Sequence, residues 1–281
     1  MNNILKKAEL SSDALFSIAA KWFFIAAISF IFVMLFHQFL VGGLSRFLGY
    51  ETHIHFAKVE SLPHYDAYWS TGRVLILYAL PGMFIFLISI VLLNYLYFGG
   101  TAVTIGKWIA FWVMVFCVLV PTTLLSISFF YTFDPANTLF QGFAVLVYWF
   151  RSSVLTCVLF IILSWGINLV FGFICAHILF DMMPILIRKR GKAPRVKLLA
   201  SFYYPIIIIF ILSAVISIPH GFAFFIAMFL HAVLWLPGFY FINPTVQSEG
   251  ELKMAILKPY YIFGFLIIIV LLAIIIRTFL Y

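Results

Sequence analysis

The sequence predicts an all-α integral membrane protein, a polytopic bundle of about seven transmembrane helices with one interfacial helix and a short extended segment in the first outer loop. Of its 281 residues, 65% are hydrophobic and 9% are charged, whereas a soluble domain has about 45–50% apolar and about 25% charged residues. The chain also contains repeated apolar runs of membrane-spanning length, and its basic residues are concentrated between two of them. Because 17 Lys and Arg and 9 Asp and Glu residues cannot form the polar shell of a soluble fold, soluble enzymes, disordered proteins and secreted modules are excluded.

The membrane spans are predicted from the lengths of the apolar runs. A helix needs about 20 mostly apolar residues to cross the hydrocarbon core. The first such run lacks a small-residue cleavage pattern, so we expect it to remain as a span rather than to be removed as a signal peptide. The whole chain, 1–281, is predicted to be a single membrane domain. The predicted spans are 22–43, 74–97, 108–131, 152–180, 200–218, 222–243 and 259–280.

The stretch 138–187 is the difficult one, because a continuous helix of nearly fifty residues would be roughly 75 Å long, more than twice the ~30 Å core. It contains either two spans or one span preceded by an interfacial helix. Lys and Arg favour the cytoplasmic side, and one span places the most basic connection, 188–197, on the same side as the basic N-terminus. We therefore predict one span, an outer interfacial helix at 138–150, a cytoplasmic N-terminus and an outer C-terminus. The compact loops suggest a bacterial inner membrane.

The basic connection is also a predicted lipid-binding surface. Each Lys or Arg beside an anionic leaflet contributes about 1 kcal/mol. Nucleic acid is not an expected partner, because the run has no interleaved aromatic residues. The predicted lipid-contacting residues are Arg188, Lys189, Arg190, Lys192, Arg195 and Lys197.

The small and polar residues of the fourth span predict how it packs, since membrane helices associate through small residues and polar side chains. Gly166, His177 and Asp181 lie roughly opposite a second small and polar face, so both faces are predicted to be packed and this helix to be central. That second face consists of Ser164, Asn168, Gly172, Cys175 and Ala176.

The sixth span carries a similar stripe. Ala223, Ala227 and His231 follow one another at intervals of four, and Gly238 continues the stripe, which predicts that His231 is buried against another helix.

Three prolines lie within predicted spans. Pro81, Pro121 and Pro237 each remove a helical hydrogen bond. We expect a kink at Pro121 and weak points at the other two.

The first outer loop contains a candidate metal site. In an extended strand, Glu51, His53 and His55 share one side, and His64 or Asp66 lies close enough in sequence to fold back. Imidazoles in this pattern suit zinc, so His53, His55 and His64 are the predicted ligands. The alternative is an interfacial loop whose apolar side enters the bilayer. No cofactor other than zinc is predicted.

A second candidate is the pair His177 and Asp181, which four-residue spacing places on one helix face. The carboxylate could orient the imidazole in a proton relay, or it could simply pair with the adjacent basic residues. With Asn168 and His231, the pair also defines a possible polar path through the bundle.

No complete catalytic set is present, and the three cysteines lie in apolar runs, so no disulfide framework is predicted. We therefore expect a non-catalytic subunit or scaffold, with membrane lipids and other membrane subunits or a second copy as partners. The first alternative is a small transporter or channel using Asn168, His177 and His231.

The second alternative is a membrane enzyme, or a degenerate protease-like protein that uses the loop around His53 and His55. A helix containing His37, an extended segment and a span with Leu80-Pro81-Gly82 together resemble the layout of site-2-type proteases, but the His-Glu-x-x-His motif is missing.

Overall fold

The protein is a helical membrane protein. A computed structural model describes residues 12–54, 59–63, 69–98, 104–130, 143–182, 194–216 and 222–241. Almost all of these belong to one compact unit, Met1–Tyr240; of the second unit, Phe241–Tyr281, only the first residue is described. Within the described ranges, five helical stretches are long and apolar enough to cross a membrane.

In the described ranges, the elements are helices, with one hairpin after the first of them. The hairpin is antiparallel and pairs Tyr50 with Pro63 at its open end and Ile54 with Val59 beside its loop. The elements are α1 (Ser12–Phe47), β1 (Tyr50–Ile54), β2 (Val59–Pro63), α2 (Thr71–Tyr78), α3 (Leu80–Phe98), α4 (Ile105–Phe130), α5 (Phe143–Trp149), α6 (Val154–Met182), α7 (Pro194–Ile216), α8 (Phe222–Val233) and α9 (Leu236–Phe241).

The predicted spans agree with the structure over most of the described chain. The five membrane-length stretches correspond to predicted spans one, two, three, four and six, and the extended segment predicted after the first span is confirmed as the β1–β2 hairpin. The fifth predicted span corresponds to α7, a helix of 23 residues whose fully described part, Phe202–Ser213, is apolar. The predicted span at 259–280 lies outside the described residues, so the count of seven stays a prediction.

The ambiguous stretch contains one long helix. α6 has 29 residues, whereas the preceding α5 has seven. At 1.5 Å per residue, seven residues extend about 10 Å and cannot cross a ~30 Å core. α5 packs against α4 and α2 through Phe143, Ala144, Leu146 and Val147, while Tyr148 and Trp149 are exposed. Within 143–182, the part of this stretch that the structure describes, there is thus a single membrane-length helix, as predicted.

Two of the three predicted weak points are breaks in the helices. The second span divides into α2 and α3 at Ala79, two residues before Pro81, and the sixth divides into α8 and α9 at 234–235, just before Pro237. In both cases the proline lies in the first turn of the helix that follows the break, where its missing N–H leaves no helical hydrogen bond unmade. α4, by contrast, continues through Pro121.

The centre of the bundle is α4, which is the third predicted span, and not α6, which is the fourth. Over 18 residues of its apolar stretch, α4 is 89% buried, compared with 33% for α6, the lowest share of the five stretches. α4 packs against α1, α3, α5, α6 and α8. The prediction that α6 is central was wrong: its Ser164 and Cys175 face is buried, but Asp181 on the opposite side is exposed. An additional Cβ at Gly166 would meet no atom within 4 Å.

The basic segment is only partly described. Residues 188–193 lie outside the described ranges, whereas Arg195 and Lys197 belong to the first turn of α7. These two residues were predicted in a loop and are instead helical, since α7 begins six residues earlier than the predicted span.

Candidate functional site

Two of the buried polar side chains of the bundle meet in a cluster between three helices. Ser164 on α6 and His231 on α8 are almost completely buried, and Ser164 Oγ lies 2.6 Å from His231 Nε2. Ser164 Oγ also lies 2.8 Å from the carbonyl oxygen of Thr122 on α4. One serine hydroxyl therefore connects α4, α6 and α8.

The hydrogen-bond partners determine the tautomer of His231. Its Nδ1 lies 2.6 Å from the carbonyl oxygen of Ala227, which can only accept, so Nδ1 carries the proton. In a neutral ring Nε2 is then unprotonated and accepts from the Ser164 hydroxyl. The oxygen of Thr122 is a second acceptor for the same single proton. Both ring nitrogens of His231 are thus engaged by protein groups.

A second pair continues this cluster one helical turn away. The indole Nε1–H of Trp235 donates to Oδ1 of Asn168 over 2.8 Å, and Nδ2 of Asn168 donates to the carbonyl oxygen of Ser164, also over 2.8 Å. Asn168 and Trp235 are fully buried. Because unpaired polar groups are costly in a membrane interior, these bonds stabilise the contact between α6 and the break after α8.

Two glycines allow this close approach. A Cβ on Gly172 would lie 2.7 Å from Cα of Trp235, and a Cβ on Gly238 would overlap the backbone of Gly172. The predicted small-residue stripe on the sixth span is therefore confirmed where its side chains are described: Ala227, His231 and Gly238 are buried. The side chain of Ala223 lies outside the described part.

A fourth helix, α7, closes the cluster with aromatic rings. The ring of Phe202 stacks between those of Trp112 and Trp235, with centroid distances of 5.6 Å to each. Tyr203 donates its hydroxyl proton to the carbonyl oxygen of Ala232 over 2.8 Å. The polar bonds are thus enclosed by rings, which limits the room around them.

The structure brings together only part of the predicted polar path. Asn168 and His231 belong to the buried cluster through Ser164. His177 instead donates from Nδ1 to the carbonyl oxygen of Phe173 on its own helix over 2.8 Å and is half-buried, and Asp181 is exposed. The relay between His177 and Asp181 stays a prediction.

Sequence reasoning missed the pairing of Ser164 with His231 and the role of Trp235. The signal was present, because Ser164 and His231 each lie on a small-residue face of a predicted span. Which two faces meet depends on the order of helices around the bundle, and the sequence pattern does not contain it.

Of the three predicted metal ligands, the structure describes His53, which lies on β1 of the hairpin. His53 is exposed and its Nε2 lies 3.6 Å from Oε1 of Glu51, so the two side chains share one side of β1 as predicted. His55 and His64 lie outside the described residues. Among the described side chains, no three His, Cys, Asp or Glu residues form a group able to hold a metal.

Comparison with known proteins leaves the family of this chain open. No protein-family model, no curated protein and no solved structure matches it.

Proposed function

We propose that the protein is a non-catalytic subunit or scaffold of a membrane protein assembly, and that it works through helix contacts within the bilayer. The observation that supports this proposal is the use of its intramembrane polar groups. The hydrogen-bonding atoms of Ser164, Asn168 and His231 that would line a path are bonded to neighbouring helices or to their own backbone. A side chain so engaged stabilises packing rather than solvating a transported species.

The surface available to a partner is the outward face of α6. Leu155, Leu159, Ile162 and Leu169 are exposed there at intervals of four, three and seven residues and follow one side of the helix. Gly166 lies in the same row, and nothing comes within 4 Å of the position of its Cβ. Such a small residue lets a second helix approach closely, as membrane helix pairs require.

In-membrane photocrosslinking tests this proposal. A photoreactive amino acid at Ile162 or Leu169 is expected to yield a discrete protein adduct, and Phe32 on α1, exposed to 58%, serves as the outward-facing control. Native mass spectrometry of the purified protein then gives the composition of the adduct. A lone monomer, with no protein adduct from either α6 position, would contradict the proposal.

We also propose an orientation. Basic residues favour the cytoplasmic side, which places the N-terminus and the segment from Arg188 to Lys197 in the cytoplasm of a bacterial cell, against anionic lipid, and the C-terminus outside the inner membrane. Reporter fusions at 192 and at the C-terminus test this. A periplasmic signal from the fusion at 192 would reverse the orientation.

A further inference from the structure

Two buried polar side chains in the C-terminal halves of α1 and α4 have no hydrogen-bond partner within the described ranges. Thr123 on α4 is fully buried, and its Oγ1 is unbonded. His37 on α1 is 7% exposed, and its ring forms no hydrogen bond with a described residue. Most buried polar atoms in native proteins bond to the protein or to an ordered water molecule. These two side chains therefore need a partner.

Aromatic pairs define how α1 and α4 lie side by side. The rings of Trp22 and Trp108 stack with their centroids 4.7 Å apart, and those of Phe30 and Phe116 meet edge to face with centroids 5.1 Å apart. In both pairs the residue numbers differ by 86, so the two helices run in the same direction with one constant register. This register gives each level of α1 its counterpart on α4.

The same register places His37 opposite Thr123. Their residue numbers also differ by 86, and they follow Phe30 and Phe116, respectively, by seven residues. Seven residues rise about 10 Å and turn only about 20° less than two full turns. Each side chain therefore lies on the same helix face as the paired ring before it. His37 and Thr123 thus occupy one level of the interface between α1 and α4.

The neighbouring hydroxyls of α4 differ from that of Thr123, because each bonds to its own helix. Thr122 donates to the carbonyl oxygen of Val118 over 2.7 Å. Ser126 donates to the carbonyl oxygen of Thr123 over 2.9 Å, and Ser128 bonds in the same way one turn back. Hydroxyls bonded in this way need no partner from another helix. In this group, the hydroxyl of Thr123 is available to a partner between α1 and α4.

We propose that His37 and Thr123 form a binding site for one water molecule, which bridges α1 and α4. Buried waters bond to otherwise unpaired polar groups and make two to four hydrogen bonds. The hydroxyl can donate or accept, and a neutral imidazole offers one donor and one acceptor. His37 keeps 7% of its surface accessible, so a gap of the size of a water molecule reaches this residue. The site lies apart from the cluster of Ser164 and His231 and is independent of the proposed function.

Solid-state NMR of the full-length protein in lipid bilayers tests the site. With ¹⁵N-labelled histidine, magnetisation is expected to pass from water protons to a ring nitrogen of His37, whose resonance is identified by its loss in His37→Gln. Thr123→Val keeps the shape of the side chain but removes the hydroxyl, so this transfer should be lost. Thr122→Val is the matched control and should leave it unchanged, because the hydroxyl of Thr122 bonds to its own helix.

A double-mutant cycle in SDS denaturation gives a second readout. Hydrogen bonds between membrane helices change the unfolding equilibrium constant by about threefold on average. Thr123→Val and His37→Phe should therefore be coupled by about threefold, whereas Thr122→Val and His37→Phe should be additive. Far-ultraviolet circular dichroism, with the helical signal unchanged, shows that each variant is folded.

Two results would overturn the proposal. One is a transfer from water to His37 that is absent in the wild-type protein or unchanged in Thr123→Val. If the coupling were still present without this transfer, His37 and Thr123 would bond directly and no water would be bound. The other result is an additive cycle for Thr123→Val and His37→Phe, since the hydroxyl of Thr123 would then bond to its own helix as that of Thr122 does.

Discussion

Gly238→Ala is the most direct test of the close contact between α6 and α9. The added Cβ would lie 2.5 Å from both the carbonyl oxygen of Gly172 and the amide nitrogen of Phe173. These are backbone atoms and cannot rotate away. Ordinary contacts with Cβ are 3.4–4 Å long, so the two helices must separate by about 1 Å.

The structure gives the size of the effect. Overpacking of this kind costs about 1–3 kcal/mol. A separation of about 1 Å would also lengthen the bond from Trp235 to Asn168 well beyond its 2.8 Å and break it. A hydrogen bond between membrane helices contributes about 0.6 kcal/mol on average and up to about 1.7 kcal/mol. We expect Gly238→Ala to lower the free energy of unfolding by about 2–4 kcal/mol.

The assay is denaturation of the detergent-solubilised protein by SDS, followed by tryptophan fluorescence, because Trp235 is buried in this contact. Gly166→Ala is the matched control, since nothing lies within 4 Å of the added Cβ. A surface change of this type stays within about 0.5 kcal/mol of wild type. Equal stabilities of the two variants would refute the reasoning, because the backbone contact would then not resist an added methyl group.

Three further predictions concern single contacts. Ser164→Ala removes the hydroxyl that connects three helices and leaves an imidazole nitrogen unpaired, so SDS denaturation should show a loss of about 1–3 kcal/mol; an unchanged midpoint would contradict the role of the cluster. Asn168→Ala and Trp235→Phe should be non-additive, with a coupling energy of at least about 0.6 kcal/mol in a double-mutant cycle, whereas additive losses would mean that the 2.8 Å bond contributes nothing. The Cβ of Gly42→Ala would lie 2.6 Å from Cδ1 and 3.0 Å from Cγ1 of Ile54, a flexible side chain that can move aside, so thermal unfolding should differ from wild type by less than about 1 kcal/mol; a loss as large as that of Gly238→Ala would show that the hairpin cannot adjust.

The sequence predicted the features that depend on length and spacing along the chain. The spans around α1, α4 and α6 follow from apolar runs, and the breaks before Pro81 and Pro237 follow from the helical hydrogen bond that each proline cannot donate. The alternation of Glu51 and His53 predicted that they share a side of a strand. Each of these features is a local property, which explains why a single sequence was sufficient.

The features that the sequence did not predict depend on which helix neighbours which. Ser164 and His231 are 67 positions apart. The small-residue pattern around each of them does not indicate which other helix it contacts. The strand register of the hairpin is also left open by the local pattern, because a shift of one residue would turn every side chain of a strand to its other face. Pairing between elements, rather than local conformation, therefore limits the prediction of the candidate site.

The mistaken choice of central helix has a physical cause. In water, a buried helix face differs from an exposed one in hydrophobicity, but lipid is as apolar as a protein core, so this difference disappears in a membrane. Leu119 on α4 is fully buried and Leu155 on α6 is 68% exposed, although the two side chains are the same. Only small and polar residues distinguish a packed face, and Gly166 lies outside any packed face described within this chain. A small residue without an internal partner is what a helix that contacts another protein would present, which is why the crosslinking positions lie beside it on α6.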